Sequence, residues 1–413
     1  MGQLKKITSQ FIYQVGNFIL PLLLIPFLID LLSPEQYQLL IILQSAVLFF
    51  ALFINYGFDL KGTKEISRII ENRSNCYSYV KTALYTKFFI FVFSSLFLFI
   101  IEIAIFNVQI EFVLSSILWL FAYVFQFNWY FQGKGNFSTI TRLGLIPKVA
   151  VLSFVFIVVN GDETAYYYLI LNALAVFISN FLMCREMYSE LGSFDGEPSK
   201  EIQLNEIKAI LKDGYSVFIS QLSTSLISNA NVFILPLILS PTSFIVFNTA
   251  ERLVRVTAML TTPFTNVLFP QVSRRVHEGK DINRLISMIS ILSVFVYSSG
   301  YGIFLLFGDY FINLIFPSVA NELMFYLKFM LIIPLMIFLN NLLGTQIGLN
   351  MGQDKYFSRV ILVGGISNVS LITMLTYYYS DYGTISAAVS SQVIILIGMY
   401  WVAKKGGYEF SVK

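Results

Sequence analysis

The sequence predicts an all-α integral membrane protein, with twelve transmembrane helices in two pseudo-symmetric six-helix lobes. Three observations carry that expectation. Apolar runs recur from end to end of a 413-residue chain that is 56% apolar and 12% charged, whereas a soluble domain is about 45–50% apolar and about 25% charged. Of the connections between those runs, only alternate ones carry Lys or Arg. Short motifs also recur at half the chain length.

Each span needs roughly 20 apolar residues to cross the hydrocarbon core. The first, 8–32, follows Lys5 and Lys6. It is too long for the apolar core of a signal peptide, and no small-residue cleavage site follows it. Ser33-Pro34 turns the chain into the second span, 38–60. Spans three and four, 82–106 and 110–131, are joined by Phe-Asn-Val-Gln, and Gly133-Lys134-Gly135-Asn136 leads into the fifth, 138–159. Asn-Gly-Asp-Glu-Thr leads into the sixth, 165–188. The longest polar stretch follows, and 189–213 is read as a linker between an amino-terminal lobe, 1–188, and a carboxy-terminal lobe, 214–413. The second lobe holds spans at 214–239, 244–270, 285–307, 322–343, 357–379 and 384–403.

The connections after odd-numbered spans contain no Lys or Arg, while Lys61, Lys64, Arg68, Arg73, Lys81, Lys134, Arg274, Arg275, Lys355, Arg359, Lys404 and Lys405 lie on the other side. By the positive-inside rule both termini are cytoplasmic. Leu32-Ser33-Pro34-Glu35-Gln36-Tyr37 matches Leu239-Ser240-Pro241-Thr242-Ser243-Phe244, and Gly133-Lys134-Gly135-Asn136-Phe137 has an echo in Gly352-Gln353-Asp354-Lys355-Tyr356-Phe357. Matches in one order after equivalent spans imply two parallel repeats. Transporters of that build hold their substrate near the midplane, where the repeats meet.

The charges within the spans point to an anionic cargo. The eighth span carries Glu251, Arg252 and Arg255; charge at such depth costs roughly 2.5–3.5 kcal/mol per residue on insertion scales, so it belongs in a protein interior or a wet cavity. Asn248, Arg252, Arg255, Thr262 and Asn266 are spaced to share one helical face. Arg252 lies about 12 Å and Arg255 about 17 Å beyond Phe244 at 1.5 Å per residue. A guanidinium grips phosphate bidentately and keeps its charge when desolvated. Glu251 and Arg255, four apart, can also neutralise each other. Lys148, about ten residues into the fifth span, is read as a cavity cation, and Lys328 as either a cavity cation or one reaching the surface.

Lys87 is expected to extend to the cytoplasmic surface, and Asp30, Asp59, Glu102 and Glu111 to sit at the interface. Gln14, Asn17, Gln126, Asn128, Gln221, Asn229, Asn231, Asn340 and Asn341 either bond helices together or line a wet cavity. Pro21, Pro26, Pro236 and Pro334 are expected to break their helices, and Pro263 and Pro270 to loosen theirs. Two cysteines, Cys76 and Cys184, and one histidine, His277, argue against a metal site or disulfide framework. No Walker A motif or nucleophile elbow is present.

The leucine- and proline-rich first span with its Ser-Pro-x-x-Tyr turn resembles the opening of polysaccharide flippases. Trp129-Tyr130-Phe131-Gln132-Gly133 and Ala250-Glu251-Arg252-Leu253-Val254, followed by Phe269-Pro270-Gln271-Val272-Ser273-Arg274, extend the resemblance along the chain. Together they look like Wzx-type O-antigen or capsule repeat-unit flippases of the multidrug/oligosaccharidyl-lipid/polysaccharide (MOP) superfamily, with its MATE-like fold. The resemblance implies two six-helix lobes opening alternately to cytoplasm and periplasm in the bacterial inner membrane. The implied cargo is an undecaprenyl-diphosphate-linked oligosaccharide bound for O-antigen or capsule, handed on to polysaccharide polymerase machinery. Membrane lipids are the other partners; no nucleic acid is implied. No cofactor is expected, with coupling to a Na+ or H+ gradient left open. Arg252, Arg255, Lys148 and Lys328 are the candidate binding cations, supported by Glu251, Asn248, Asn17, Asn229 and Asn231. One alternative is an organic-cation exporter on the same fold, which calls for an uncompensated carboxylate deep in a helix. The other is a polymerase of the same pathway, which calls for a large outward loop.

Overall fold

The computed structural model describes residues 2–104, 106–192 and 204–410, and their side chains except those of 2–11, 14, 18, 204, 226–228, 263, 266 and 267. Gln14, Asn266 and the 193–203 part of the expected linker therefore lie outside the described side chains or residues. The described residues are helical nearly throughout. In chain order the helices are α1 (Gly2–Leu31), α2 (Pro34–Asn55), α3 (Phe58–Ile69), α4 (Arg73–Ala104), α5 (Ile110–Ala122), α6 (Asn128–Gly133), α7 (Phe137–Leu152), α8 (Val155–Val158) and α9 (Tyr166–Leu191). There follow α10 (Leu204–Ile234), α11 (Pro241–Met259), α12 (Thr262–His277), α13 (Asn283–Ile315), α14 (Ala320–Met330), α15 (Ile333–Asn340), a π-helical stretch Asn341–Leu349, and α16 (Asp354–Lys405). Backbone contacts divide the chain into two units, Met1–Leu226 and Ile227–Lys413.

The repeated motifs fold the same way in each copy. Ser33 caps α2 by accepting a bond from Gln36 N at 3.4 Å, and Ser240 caps α11 through Ser243 N at 3.2 Å, each with proline in the first turn. A serine oxygen satisfies one of the orphan amides of a helix start, and proline there loses nothing. The second pair folds as a helix stop. Gly135 and Gly352 have φ of +68° and +69°, and the next amide reaches back to Phe131 O and Gly348 O, each at 2.8 Å. That is the glycine cap with its 6→1 bond.

In the first unit, α7 packs on α9 and α1, α5 on α9, α3 on α6, and α2 on α4. The Trp129-Tyr130-Phe131 run is buried against Phe58, Ile66, Cys76, Val80 and Met187, so this motif is core. In the second unit, α12, α15 and the π stretch build a core of Leu268, Val272, Phe338, Leu342 and Ile347.

Eight helical segments among the described residues are long and apolar enough to cross a membrane, and nine if Asn205–Ser225 and Asn229–Leu237, bent by 55°, form one span. The chain is thus a multi-pass membrane protein. Twelve is not reached by this measure, for identifiable reasons. The apolar part of α1 is short, Val15–Leu31, charges dilute α11, and α12 is only 16 residues long. The 52-residue α16 counts once, yet would run about 78 Å if straight against a core of about 30 Å. It instead doubles back at Ser380, where φ is +49° and ψ −127°. A methyl group at Gly364 would lie 2.3 Å from Ile395 Cγ1, and one at Gly398 would lie 2.5 Å from Val360 Cγ1. Those pairs straddle residue 380 evenly, which is the register of an antiparallel helical hairpin. At its tip a side chain on Gly383 would meet Leu375 O at 1.9 Å, so only glycine fits.

Two expectations are corrected. The eighth span is two helices: α11 stops at Met259 and α12 starts at Thr262, so Thr262 belongs to a different helix from Asn248, Arg252 and Arg255. Pro21 and Pro26 do not interrupt α1: each removes one donor, but the helix runs on. Pro236 and Pro334 do mark breaks, as expected: Pro236 sits in the 3₁₀ turn that ends α10, and Pro334 in the first turn of α15, after the chain has broken at Met330.

Candidate functional site

On α11 the buried stripe is Phe247, Ala250, Val254 and Ala258, spaced by three and four. Asn248, Glu251, Arg252 and Arg255 lie beside that stripe. Asn248 is buried, Arg252 and Glu251 are half-buried, and Arg255 is exposed. Arg255 Nη2 lies 2.8 Å from Glu251 Oε1, so the charge pair readable from the four-residue spacing does form. This face thus carries two guanidiniums and one carboxylate. A planar donor fork with neutral Asn248 on the same side can hold an oxyanion of a diphosphate.

A second cluster lies in the first unit. Lys148, just after Pro147 in α7, donates from Nζ to Asn17 Oδ1 at 2.7 Å. Asn17 Nδ2 in turn donates to Tyr13 O at 2.8 Å, and Asn128 Nδ2 donates to Tyr13 Oη at 3.1 Å. The ammonium also stands 6.0 Å from the Tyr13 ring centre. No carboxylate among the described residues forms an ion pair with Lys148. The Asn128 Oδ1 atom is buried without a partner. The structure thus brings together Lys148 and Asn17, both expected at the site, and adds Tyr13, which sequence reasoning did not name.

The remaining candidates separate. Asn231 accepts from Asn368 Nδ2 at 3.0 Å and is helix glue within the second unit. Asn229 is half-buried. Lys328 is exposed in the last turn of α14, where its carbonyl accepts from Tyr301 Oη at 2.6 Å. Asn340 bonds Gln392 at 3.3 Å and Asn341 accepts from Gln346 at 3.1 Å, again as glue.

Two depth assignments are overturned. Lys87 does not reach the surface: it is 0% exposed, and Nζ donates to Asn55 Oδ1 at 3.2 Å and Gln126 O at 2.5 Å. The Phe127 and Phe58 ring centres lie 5.3 and 5.5 Å from it. Glu102 does not face the interface either: it is 0% exposed, lies beside the Ser116 hydroxyl, and forms no ion pair among the described residues. Both misreadings measured depth along one helix, whereas neighbouring helices decide burial. Gln126 and Asn128 inside an aromatic run were the available signal.

Comparison with known proteins places this geometry in context. Residues 3–276 match the family described as "Polysaccharide biosynthesis protein". A protein of Escherichia coli (strain K12) named for O-antigen transport is 23% identical over 387 residues, 93% of this chain and 92% of its own. One of Shigella dysenteriae, named likewise, is 23% identical over 409 residues, 97% of this chain and all of its own. Among solved structures, an inward-facing multidrug resistance MATE transporter of the MOP superfamily matches with a TM-score of 0.67 at 13% identity. That match covers 96% of this chain and 94% of the other. A MATE in its straight conformation matches at 0.62 and 12%, covering 98% and 96%. The chain therefore has the fold of these MATE transporters.

Proposed function

The chain belongs to the polysaccharide biosynthesis protein family, and from that premise we propose that it is a flippase for lipid-linked oligosaccharides. The cargo is an undecaprenyl-diphosphate-linked repeat unit destined for O-antigen or capsule. It is carried from the cytoplasmic to the outer leaflet of the bacterial inner membrane by alternating access. The names of the two O-antigen transport relatives support the cargo class.

The observation that carries the reading is Lys148: a lysine within an apolar span, held at 2.7 Å by a neutral asparagine rather than by an acid. A cation kept in the membrane without a counter-ion is suited to an anion that arrives with the cargo. The two guanidiniums of the α11 face supply a second set of phosphate-suited donors in its own unit. Polymerase chemistry is set aside because the named relatives are transporters.

Organic-cation export is favoured by one observation, the buried carboxylate of Glu102, which forms no ion pair among the described residues. Glu251, the acid of the eighth span, is already paired with Arg255. Deletion of the gene separates the two readings. A flippase deletion strain loses surface polysaccharide and accumulates lipid-linked repeat units on the cytoplasmic leaflet, and the wild-type gene restores both. Normal polysaccharide with heightened sensitivity to cationic dyes would reject the flippase in favour of the exporter.

A further inference from the structure

The open end of the α16 hairpin, opposite the Ser380 turn, brings the start of its first arm beside the end of its second. Tyr356 and Trp401 meet there edge to face, with ring centres 5.3 Å apart. Lys405 Nζ lies 3.5 Å from the Tyr356 ring centre and 5.2 Å from that of Trp401, and the Arg359 guanidinium lies 5.9 Å from Tyr356. Two cations thus share one aromatic ring, and exposed Lys355 and Lys404 flank it. Cation–π contact holds each of the two in place, but their mutual repulsion is unrelieved. None of the four forms an ion pair with a carboxylate among the described residues, whereas Lys61, Lys134, Arg274 and Lys280 each do.

One turn along the second arm the surface changes character. Ile397 is 65% exposed, Tyr400 48% and Trp401 51%. A bare apolar wall beside an uncompensated cationic cluster matches a molecule with acyl chains and an anionic head. A soluble phosphate would use only the cations and leave the wall uncovered.

From this we infer that Lys355, Arg359, Lys404 and Lys405, with Tyr356 and Trp401, form a binding site for the phosphate headgroup of an anionic phospholipid. The inference rests on the membrane fold and not on the flippase reading, so either can fail without the other.

The tryptophans make a direct test available. Trp119 and Trp129 are 3% and 0% exposed, so of the three tryptophans in the chain Trp401 alone presents its ring to lipid. The full-length protein would be reconstituted in phosphatidylcholine vesicles containing acyl-brominated phosphatidylglycerol or, in a parallel set, acyl-brominated phosphatidylcholine. Brominated phosphatidylglycerol is expected to quench tryptophan fluorescence at a mole fraction at least several-fold lower. Each cation replaced by Gln should weaken the preference by about fivefold, the scale of one basic residue at an anionic surface. The quadruple Gln variant should lose it, while the K404R/K405R variant should keep it. Inorganic diphosphate added at millimolar concentration should not abolish it. Equal quenching by the two lipids, or full displacement by diphosphate, would overturn the assignment. Should the quadruple variant fail to accumulate, the wild-type lipid comparison and the single Gln variants decide alone.

Discussion

Replacing Lys148 with Ala is expected to cut surface polysaccharide at least tenfold while leaving folded protein in the membrane. The ammonium has one hydrogen-bond partner of known geometry, Asn17, and no acid beside it. Its removal therefore strands no buried counter-charge, and the fold loses little. What is lost is the cation itself, and a charge-assisted bond to an oxyanion is about twice as strong as a neutral one. Arg252→Ala on α11 should act in the same direction. Arg252→Lys should restore only part, because an ammonium lacks the bidentate fork. Arg255→Ala should be milder than either, since Glu251 already holds that charge at 2.8 Å. The measurement is surface polysaccharide in a deletion strain carrying each variant, normalised to membrane protein. Normal export from Lys148→Ala at normal abundance would remove this residue from the binding machinery.

Lys87→Ala is expected to act oppositely, by depleting the protein from the membrane. Lys87 is buried with two acceptors, Asn55 Oδ1 and Gln126 O, and Asn55 Nδ2 is itself engaged with Gln126 Oε1 at 2.9 Å. Each buried acceptor left unsatisfied costs about 1–3 kcal/mol, and a Lys-sized void in a packed core adds to that. Asn55→Ala removes one acceptor and should lower thermal stability by less. Membrane abundance and the melting temperature of the purified protein report the difference. Wild-type values for Lys87→Ala would show that this cluster does not hold α2, α4 and the α5–α6 corner together.

These two lysines also show how far the sequence could be read. Helix punctuation was legible because capping is local: the two Ser-Pro turns and the two glycine stops need only neighbouring residues to form. The Glu251–Arg255 pair was legible for the same reason, being one turn apart on one helix. The break between α11 and α12 was half legible, since Pro263 signalled loosening but not that the helix would stop at Met259 and restart at Thr262. Long-range partners were not legible. Asn17 lies 131 positions from Lys148, and Gln126 lies 39 from Lys87, so no local pattern joins them. Both lysines sit on apolar helices, and depth along the helix ranks them in the wrong order, since Lys87, nearer its helix end, is the enclosed one. Only the helices packed around them make one a fully enclosed bracket and the other a half-buried donor.

The central claim, transbilayer movement of a diphosphate-linked oligosaccharide, is tested most directly with purified protein in sealed vesicles. A lipid-linked oligosaccharide would be loaded in both leaflets, and an impermeant glycosidase added outside. Vesicles without protein should protect the inner-leaflet half. Vesicles with the wild-type protein should expose nearly all of it, and those with Lys148→Ala should resemble protein-free vesicles. Protection of the inner half by active, correctly folded wild-type protein, under every ion gradient imposed, would contradict the account.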